Sequence, residues 1–77
     1  MQELLEYLAR ALVDDPEAVR VEQFDEDDGT VVLELSFGED DYGKVIGRGG
    51  RTANALRTVL KAAAVKEGCR VFVDIVD

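Results

Sequence analysis

Residues 43–56 read GKVIGRGGRTANAL and lie in the middle of an otherwise acidic chain. The stretch holds four glycines and the basic residues Lys44, Arg48 and Arg51, and Arg57 follows directly. Helical sequence patterns flank the glycines on both sides. The chain therefore places its most flexible and most cationic residues in a tight connection between two predicted helices.

The charge of the chain is strongly polarised along its length. The 77 residues carry a formal net charge of −8. Residues 44–70 nevertheless hold seven basic residues and one acid, a net of +6, whereas residues 1–43 have a net of −12. Such asymmetry favours contact with nucleic acid. A chance clustering of bases, with acids solvating the other end, fits the same composition.

Length and composition predict one globular domain over residues 1–77, near the lower limit for an independent core. No apolar run is long enough to span a bilayer, and the first residues lack the basic region of a signal peptide, so no membrane partner is expected. The single Cys69 excludes an internal disulfide and fits a reducing cytoplasm. With no histidine, a zinc site is close to excluded, and neither metal nor cofactor is expected.

Hydrophobic periodicity predicts the order helix, strand, strand, helix, helix, strand. The Asp28-Gly29 pair predicts a hairpin, which makes the first two strands antiparallel. The two-helix crossover makes the second and third strands parallel. The fold class is thus α+β, a two-layer α-β-β-α-α-β domain with a three-stranded mixed sheet and helices on one face. The predicted elements are helix 2–13, strand 18–25, strand 31–37, a short helix 38–46, helix 51–66 and strand 69–76.

The glycine cluster predicts a binding site for phosphate groups. Gly47, Arg48, Gly49 and Gly50 join two helices, and glycine permits both a sharp turn and close approach of another backbone. We expect unpaired N–H groups at the start of the following helix to face outward, with Arg48, Arg51 and Lys44 adding full charges. A tight helix connection that needs its glycines only for the turn is the alternative. The spacing fits neither a Walker loop nor a dinucleotide fingerprint.

A known signature contains this stretch. Residues 45–53, VIGRGGRTA, resemble the KH-domain signature V-I-G-x-x-G-x-x-I, and the predicted element order resembles the type II, prokaryotic KH fold. The length of the chain and the run IGRGGRTANALRTVL are most similar to the small single-KH RNA-binding proteins of bacteria, the KhpA type. Motif and matching topology together are far more specific than the motif alone.

The resemblance implies a function and a set of site residues. It implies binding of single-stranded RNA, with the G-x-x-G loop gripping the backbone of about four nucleotides. It also implies a role as an RNA chaperone or post-transcriptional regulator, linked to cell shape and envelope homeostasis. By this resemblance the groove beside the loop is lined by Val45, Ile46 and Ala53, although Ile46 could equally belong to the core. The predicted RNA-binding residues are Lys44, Val45, Ile46, Gly47, Arg48, Gly49, Gly50, Arg51 and Ala53.

One departure from the signature, one alternative ligand and one rival function remain open. Ala53 is smaller than the aliphatic residue of the signature, which predicts a shallower groove, and Leu56 one turn later could compensate. Single-stranded DNA stays possible as a ligand, because no residue can be assigned to a 2′-hydroxyl. Catalysis finds no support, since histidine is absent and Cys69 is more typical of a small buried residue. The rival function is a protein-interaction module that keeps the KH fold with little RNA affinity.

Strand parity predicts a second surface. Phe24, Val32, Phe72 and Val76 should point away from the helices and form an apolar patch on the open face of the sheet. Scattered surface apolar residues are also ordinary in soluble proteins. The resemblance implies either a homodimer or a heterodimer with a larger KH-containing RNA-binding protein.

Overall fold

A computed structural model describes residues 1–76. Asp77, the last residue of the predicted domain, lies outside the described residues. The predicted order of elements is confirmed. The helices and strands are α1 (Gln2–Leu12), β1 (Arg20–Asp25), β2 (Thr30–Ser36), α2 (Tyr42–Ile46), α3 (Arg51–Glu67) and β3 (Arg70–Ile75).

The sheet has the predicted topology, with β2 in the centre and the strand order β1-β2-β3. β1 pairs with β2 antiparallel, and β2 pairs with β3 parallel. The hairpin turns at Gly29, whose φ of 87° favours glycine. Asp28 Oδ1 accepts the Thr30 amide at 2.9 Å, and this hydrogen bond lowers the pKa of the Asp28 carboxyl. The turn is therefore fixed by local chemistry.

The hydrophobic core lies between the helices and one face of the sheet. Alternation along each strand sends every second side chain toward the helices, as strand geometry requires. Leu33, Leu35 and Leu60 are completely buried, and the opposite face of the sheet has no helix over it among residues 1–76. The two-layer α+β architecture is confirmed. The buried cluster comprises Leu5, Ala9, Val19, Val21, Leu33, Leu35, Val45, Leu56, Leu60 and Val73.

Two element starts differ from the prediction by more than one residue, and the other boundaries agree within one residue. β1 begins at Arg20 because Pro16–Ala18 form a 3₁₀ turn, closed by the Ala18 amide on the Asp15 carbonyl at 3.2 Å. The short helix is a 3₁₀ turn, Glu39–Asp41, followed by only five α-helical residues. Asp41 causes this break, since its φ of −96° and ψ of 1° leave the α region.

Asp41 is a buried carboxylate that joins distant parts of the chain. It is 2% exposed. Its two oxygens accept the backbone amides of Asp14 at 3.0 Å and Asp15 at 3.1 Å. These bonds fix the exit of α1 against the start of α2. They thereby join two parts of the helical layer.

We expect Asp41→Asn to lower the free energy of unfolding by about 2 kcal/mol, because a carboxamide can accept only one of the two amides and leaves the other unsatisfied. Urea denaturation measures the change. The control is Asp40→Asn, which removes the same charge at an exposed neighbouring position. Equal stability of the two variants would contradict this role for Asp41.

Candidate nucleic-acid interface

The glycine loop connects α2 to α3 through one 3₁₀ turn, Arg48–Gly50. Gly47, Gly49 and Gly50 have φ values of 78°, 64° and 78°, which L side chains rarely adopt. α3 follows at once, with Gly50 at its N-cap. The loop is as short as the sequence predicts because its glycines accept the required backbone conformation.

Gly47 is required by space as well as by conformation. A Cβ atom at this position would lie 2.8 Å from the Thr52 amide nitrogen and 2.9 Å from the Thr52 Cβ, and it would also contact Thr52 Oγ1. Real Cβ atoms do not approach other atoms this closely. The sequence offered no sign that Thr52 is the residue against which the loop packs.

The outer part of the loop is open. A Cβ at Gly49 would meet no atom within 4 Å, and at Gly50 it would meet only Asn54 Nδ2 at 3.9 Å. Arg48 and Gly49 are exposed, while Gly47 and Gly50 are half-buried. An extended chain can therefore approach the backbone at Arg48 and Gly49 without displacing protein atoms.

The loop uses several of its own N–H groups. The Gly47 amide donates to the Gly43 carbonyl at 2.8 Å, and the Gly50 amide donates to the Gly47 carbonyl at 3.1 Å. The Arg51 amide donates to the Arg48 carbonyl. The expectation that the start of α3 presents its N–H groups outward is thus wrong for Gly50 and Arg51. The amides of Arg48 and Gly49 take no part in these bonds.

The basic residues around the loop fall into two groups. Arg48 and Arg51 are exposed, and neither forms an ion pair within residues 1–76. Lys44 instead donates a hydrogen bond to the Asp14 carboxylate. This bond raises the pKa of Lys44 above its ordinary value. Lys44 therefore contributes less net positive charge at the surface than the sequence suggests.

The three predicted groove residues differ in their exposure. Val45 is fully buried and Ala53 is 3% exposed, so both side chains belong to the core and present almost no surface to a ligand. Ile46 is half-buried. Of the three, only Ile46 has a side chain placed to contact a bound chain beside the loop.

Arg57 joins the first turns of α3 to β3. Its Nε donates to the Val73 carbonyl at 3.2 Å, and its Nη1 lies 3.4 Å from Asn54 Oδ1. The sequence analysis noted Arg57 only as one of the nearby cations. Its spacing from Arg48 gives no sign of this contact, which depends on the packing of the helix against the sheet.

The described part of the chain offers groups suited to binding. Residues 1–76 hold no cluster of three potential metal-ligating side chains. None of the described helices has the length and apolar character needed to cross a bilayer. Open backbone with two unpaired guanidinium groups is suited to binding anions, above all phosphates.

Comparison with known proteins identifies the family. The model of the KH domain of KhpA/KhpB matches residues 2–75. The chain belongs to the KhpA/KhpB family of KH domains. RNA-binding protein KhpA of Halalkalibacterium halodurans is 53% identical over 77 residues, with both chains covered completely. RNA-binding protein KhpA of Clostridium acetobutylicum is 50% identical over 76 residues, which cover 99% of this chain and 100% of that protein.

Solved structures show the same KH fold. A crystal structure of Era from Aquifex aeolicus, bound to GDP and AlF4⁻, has a TM-score of 0.64 and 16% identity. Era in complex with MgGDPNP and nucleotides 1506–1542 of 16S ribosomal RNA has a TM-score of 0.65 and the same identity. Each match covers 96% of this chain but only 28% of the Era chain. The likeness therefore concerns the fold of one part of Era, and it confirms the type II KH prediction.

The packing at the loop of this KH domain predicts a difference between two glycines. Gly47→Ala should lower the free energy of unfolding by about 3 kcal/mol, because overpacking against Thr52 adds to left-handed backbone strain. Gly49→Ala should cost about 1 kcal/mol, since only the backbone strain applies. Thermal or urea unfolding measures both. Equal losses would show that the close contact with Thr52 does not constrain the loop.

Proposed function

We propose that this KH domain binds single-stranded RNA through the loop of residues 47–50 and has no enzymatic activity. The observation that carries the proposal is the open backbone at Arg48 and Gly49, beside two arginines without an ion-pair partner in residues 1–76. Membership of the KhpA/KhpB family supports it, as do the relatives named RNA-binding protein KhpA.

Residues of the loop and directly beside it have distinct parts in this proposal. Arg48 and Arg51 bind phosphate oxygens with their guanidinium groups, and the amides near Gly49 add hydrogen bonds. Gly47 sets the shape of the turn by packing on Thr52. Ile46 contacts a base or sugar beside the loop. These contacts position a nucleotide chain and carry little sequence information.

The remaining predicted residues act indirectly. Val45 and Ala53 hold the loop on the core, Gly50 begins α3, and Lys44 attracts RNA only weakly because Asp14 neutralises it. We further propose that the protein works in the cytoplasm as an RNA chaperone or post-transcriptional regulator. Its link to cell shape and cell wall biogenesis belongs to the same proposal and is supported by the family resemblance alone.

A double substitution tests the binding site directly. Arg48→Asp with Gly49→Asp places two carboxylates where phosphates should lie, and aspartate tolerates the left-handed backbone of position 49. We expect affinity for a short unstructured RNA oligonucleotide to fall by about tenfold or more, because attraction becomes repulsion. Fluorescence anisotropy measures binding, and circular dichroism verifies the fold.

A matched control distinguishes damage to the binding site from the effect of a more negative net charge. Lys66→Glu with Ala62→Glu makes the same change of three charges at exposed positions toward the far end of α3. This control should retain most of the RNA affinity. If both variants lose affinity equally, or if the loop variant binds normally, the binding site is not the glycine loop.

A second candidate function is protein association, favoured by an apolar concavity of about 260 Å³ between α1 and α3. Leu12 and Val59 line it and are 38% and 44% exposed. Thr52 also lines it, so it adjoins the glycine loop. We propose this surface for a homodimer or for a heterodimer with a larger KH-containing RNA-binding protein. Its remaining lining residues are Leu8, Ala11, Ala55 and Leu56.

Sedimentation velocity tests this surface. We expect a reversible dimer that Val59→Lys converts to a monomer, because a charge in the concavity cannot be buried against a second copy. The control is Val65→Lys, on the same helix, at a more exposed valine outside the concavity. A wild-type protein that stays monomeric at high concentration would remove the homodimer, and equal effects of the two variants would place the contact elsewhere.

A further inference from the structure

The face of the sheet opposite the helices carries an apolar row. Phe24 pairs with Val32 across β1 and β2, and Val32 pairs with Phe72 across β2 and β3. The three side chains thus stand side by side on the same face. Phe24 is 46% exposed and Phe72 is 61% exposed. Aromatic side chains contribute strongly to protein interfaces when a partner buries them. This arrangement confirms the predicted strand parity.

An acidic row runs beside the apolar row. Glu22 pairs with Glu34, and Glu34 pairs with Asp74, so three carboxylates stand at neighbouring positions on three strands. Each lies two residues from a member of the apolar row, which is about 7 Å along the strand. Like charges at directly paired positions destabilise a sheet. None of the three forms an ion pair within residues 1–76.

The two arginines of this face have other partners. Arg70 lies 3.6 Å from the Asp28 carboxylate. Arg20 donates to the Glu17 carbonyl at 2.7 Å and the Val19 carbonyl at 3.0 Å. Within residues 1–76 the acidic row therefore has no cation of its own, so positive charge near it comes from solution or from a partner.

The charges select among possible occupants of the face. RNA would be repelled by three carboxylates beside the aromatic rings. A second copy would bring three more carboxylates and only two arginines, both already engaged. A partner with apolar side chains next to lysine or arginine satisfies both rows, because it buries the rings and neutralises the acids.

The dimensions of the face favour a helix as the occupant. Three adjacent strands are about 10 Å across, which matches the width of an α-helix with its side chains. Helices on both faces of a sheet form a common three-layer architecture, and this domain supplies only one helical layer within residues 1–76. We propose that the open sheet face binds a basic amphipathic helix of a partner protein, with its apolar stripe on the Phe24–Val32–Phe72 row and its cations on the Glu22–Glu34–Asp74 row.

The test uses a synthetic helical peptide with a leucine stripe bordered by lysines. Titration of the ¹⁵N-labelled protein should shift the amide signals of β1, β2 and β3. A peptide with every lysine replaced by glutamate should not bind. Phe24→Thr with Phe72→Thr keeps residues that favour strands, so the sheet should persist, and we expect it to weaken peptide affinity by about tenfold. Failure of the lysine peptide to bind overturns the proposal.

Charge controls make the outcome specific. We expect about tenfold weaker peptide binding when Glu22→Gln, Glu34→Gln and Asp74→Asn are combined. The fold should stay intact, because the triple variant removes the repulsion between paired carboxylates. Glu3→Gln, Glu39→Gln and Glu67→Gln remove the same number of exposed carboxylates elsewhere and should change affinity little. Equal losses in the two triple variants would indicate unspecific attraction to an acidic protein and overturn the proposal.

The same phenylalanine variant distinguishes the other occupants. If it loses RNA affinity, the open face binds RNA and the proposal is wrong. If the wild-type chain self-associates and the phenylalanine variant does not, the occupant is a second copy and the proposal is wrong. If RNA affinity and self-association are retained while peptide affinity falls, the face and the glycine loop are separate binding sites, as the proposal requires.

Discussion

The contact between the bare α-carbon of Gly47 and Thr52 determines the shape of the glycine loop. No side chain fits there, because φ is positive and a Cβ atom would lie 2.8 Å from the Thr52 amide nitrogen. The contact allows α2 to end and α3 to begin with only four residues between them. Arg48 and Gly49, at the tip of this connection, are exposed. The proposed RNA site follows from this placement, since phosphates can approach only where main chain is uncovered.

The distribution of charge is the second constraint on this small domain. A net charge of −8 would repel RNA if it were spread evenly over the surface. Two acidic groups of the helical layer already have partners within the chain. Asp41 holds the backbone at the end of α1, and Asp14 engages Lys44. Three further carboxylates lie on the open face of the sheet, opposite the helical layer that carries Arg48 and Arg51. One chain can thus present a cationic loop and an anionic face to different partners.

Local sequence patterns predicted the fold well. Alternating apolar residues defined the strands, and Gly29, whose φ is positive, marked the hairpin. The predicted parity of the sheet also placed Phe24 and Phe72 correctly on the exposed face. These features depend on neighbouring residues, so they can be recognised from a short window of sequence.

The site was less predictable because its details depend on residues far apart in the chain. Lys44 is paired with Asp14, 30 positions away, and this contact leaves no trace in the local pattern. Val45 and Ala53 are buried because the helices pack on the sheet. Periodicity alone does not distinguish a buried position from one that lines a groove. The family resemblance named the loop residues, but it could not tell which of them reach the surface. The structure reduces the candidate phosphate-binding cations from three to two.

The salt dependence of RNA affinity tests this central claim most directly. Each phosphate neutralised on a single strand contributes about −0.7 to the slope of log K against log salt concentration. Two unpaired arginines predict a slope of about −1.4 for the wild-type chain, about −0.7 for Arg51→Gln, and no change for Lys44→Gln. A slope near zero for the wild-type chain would contradict the account. So would a slope that becomes less steep for Lys44→Gln but stays unchanged for Arg51→Gln.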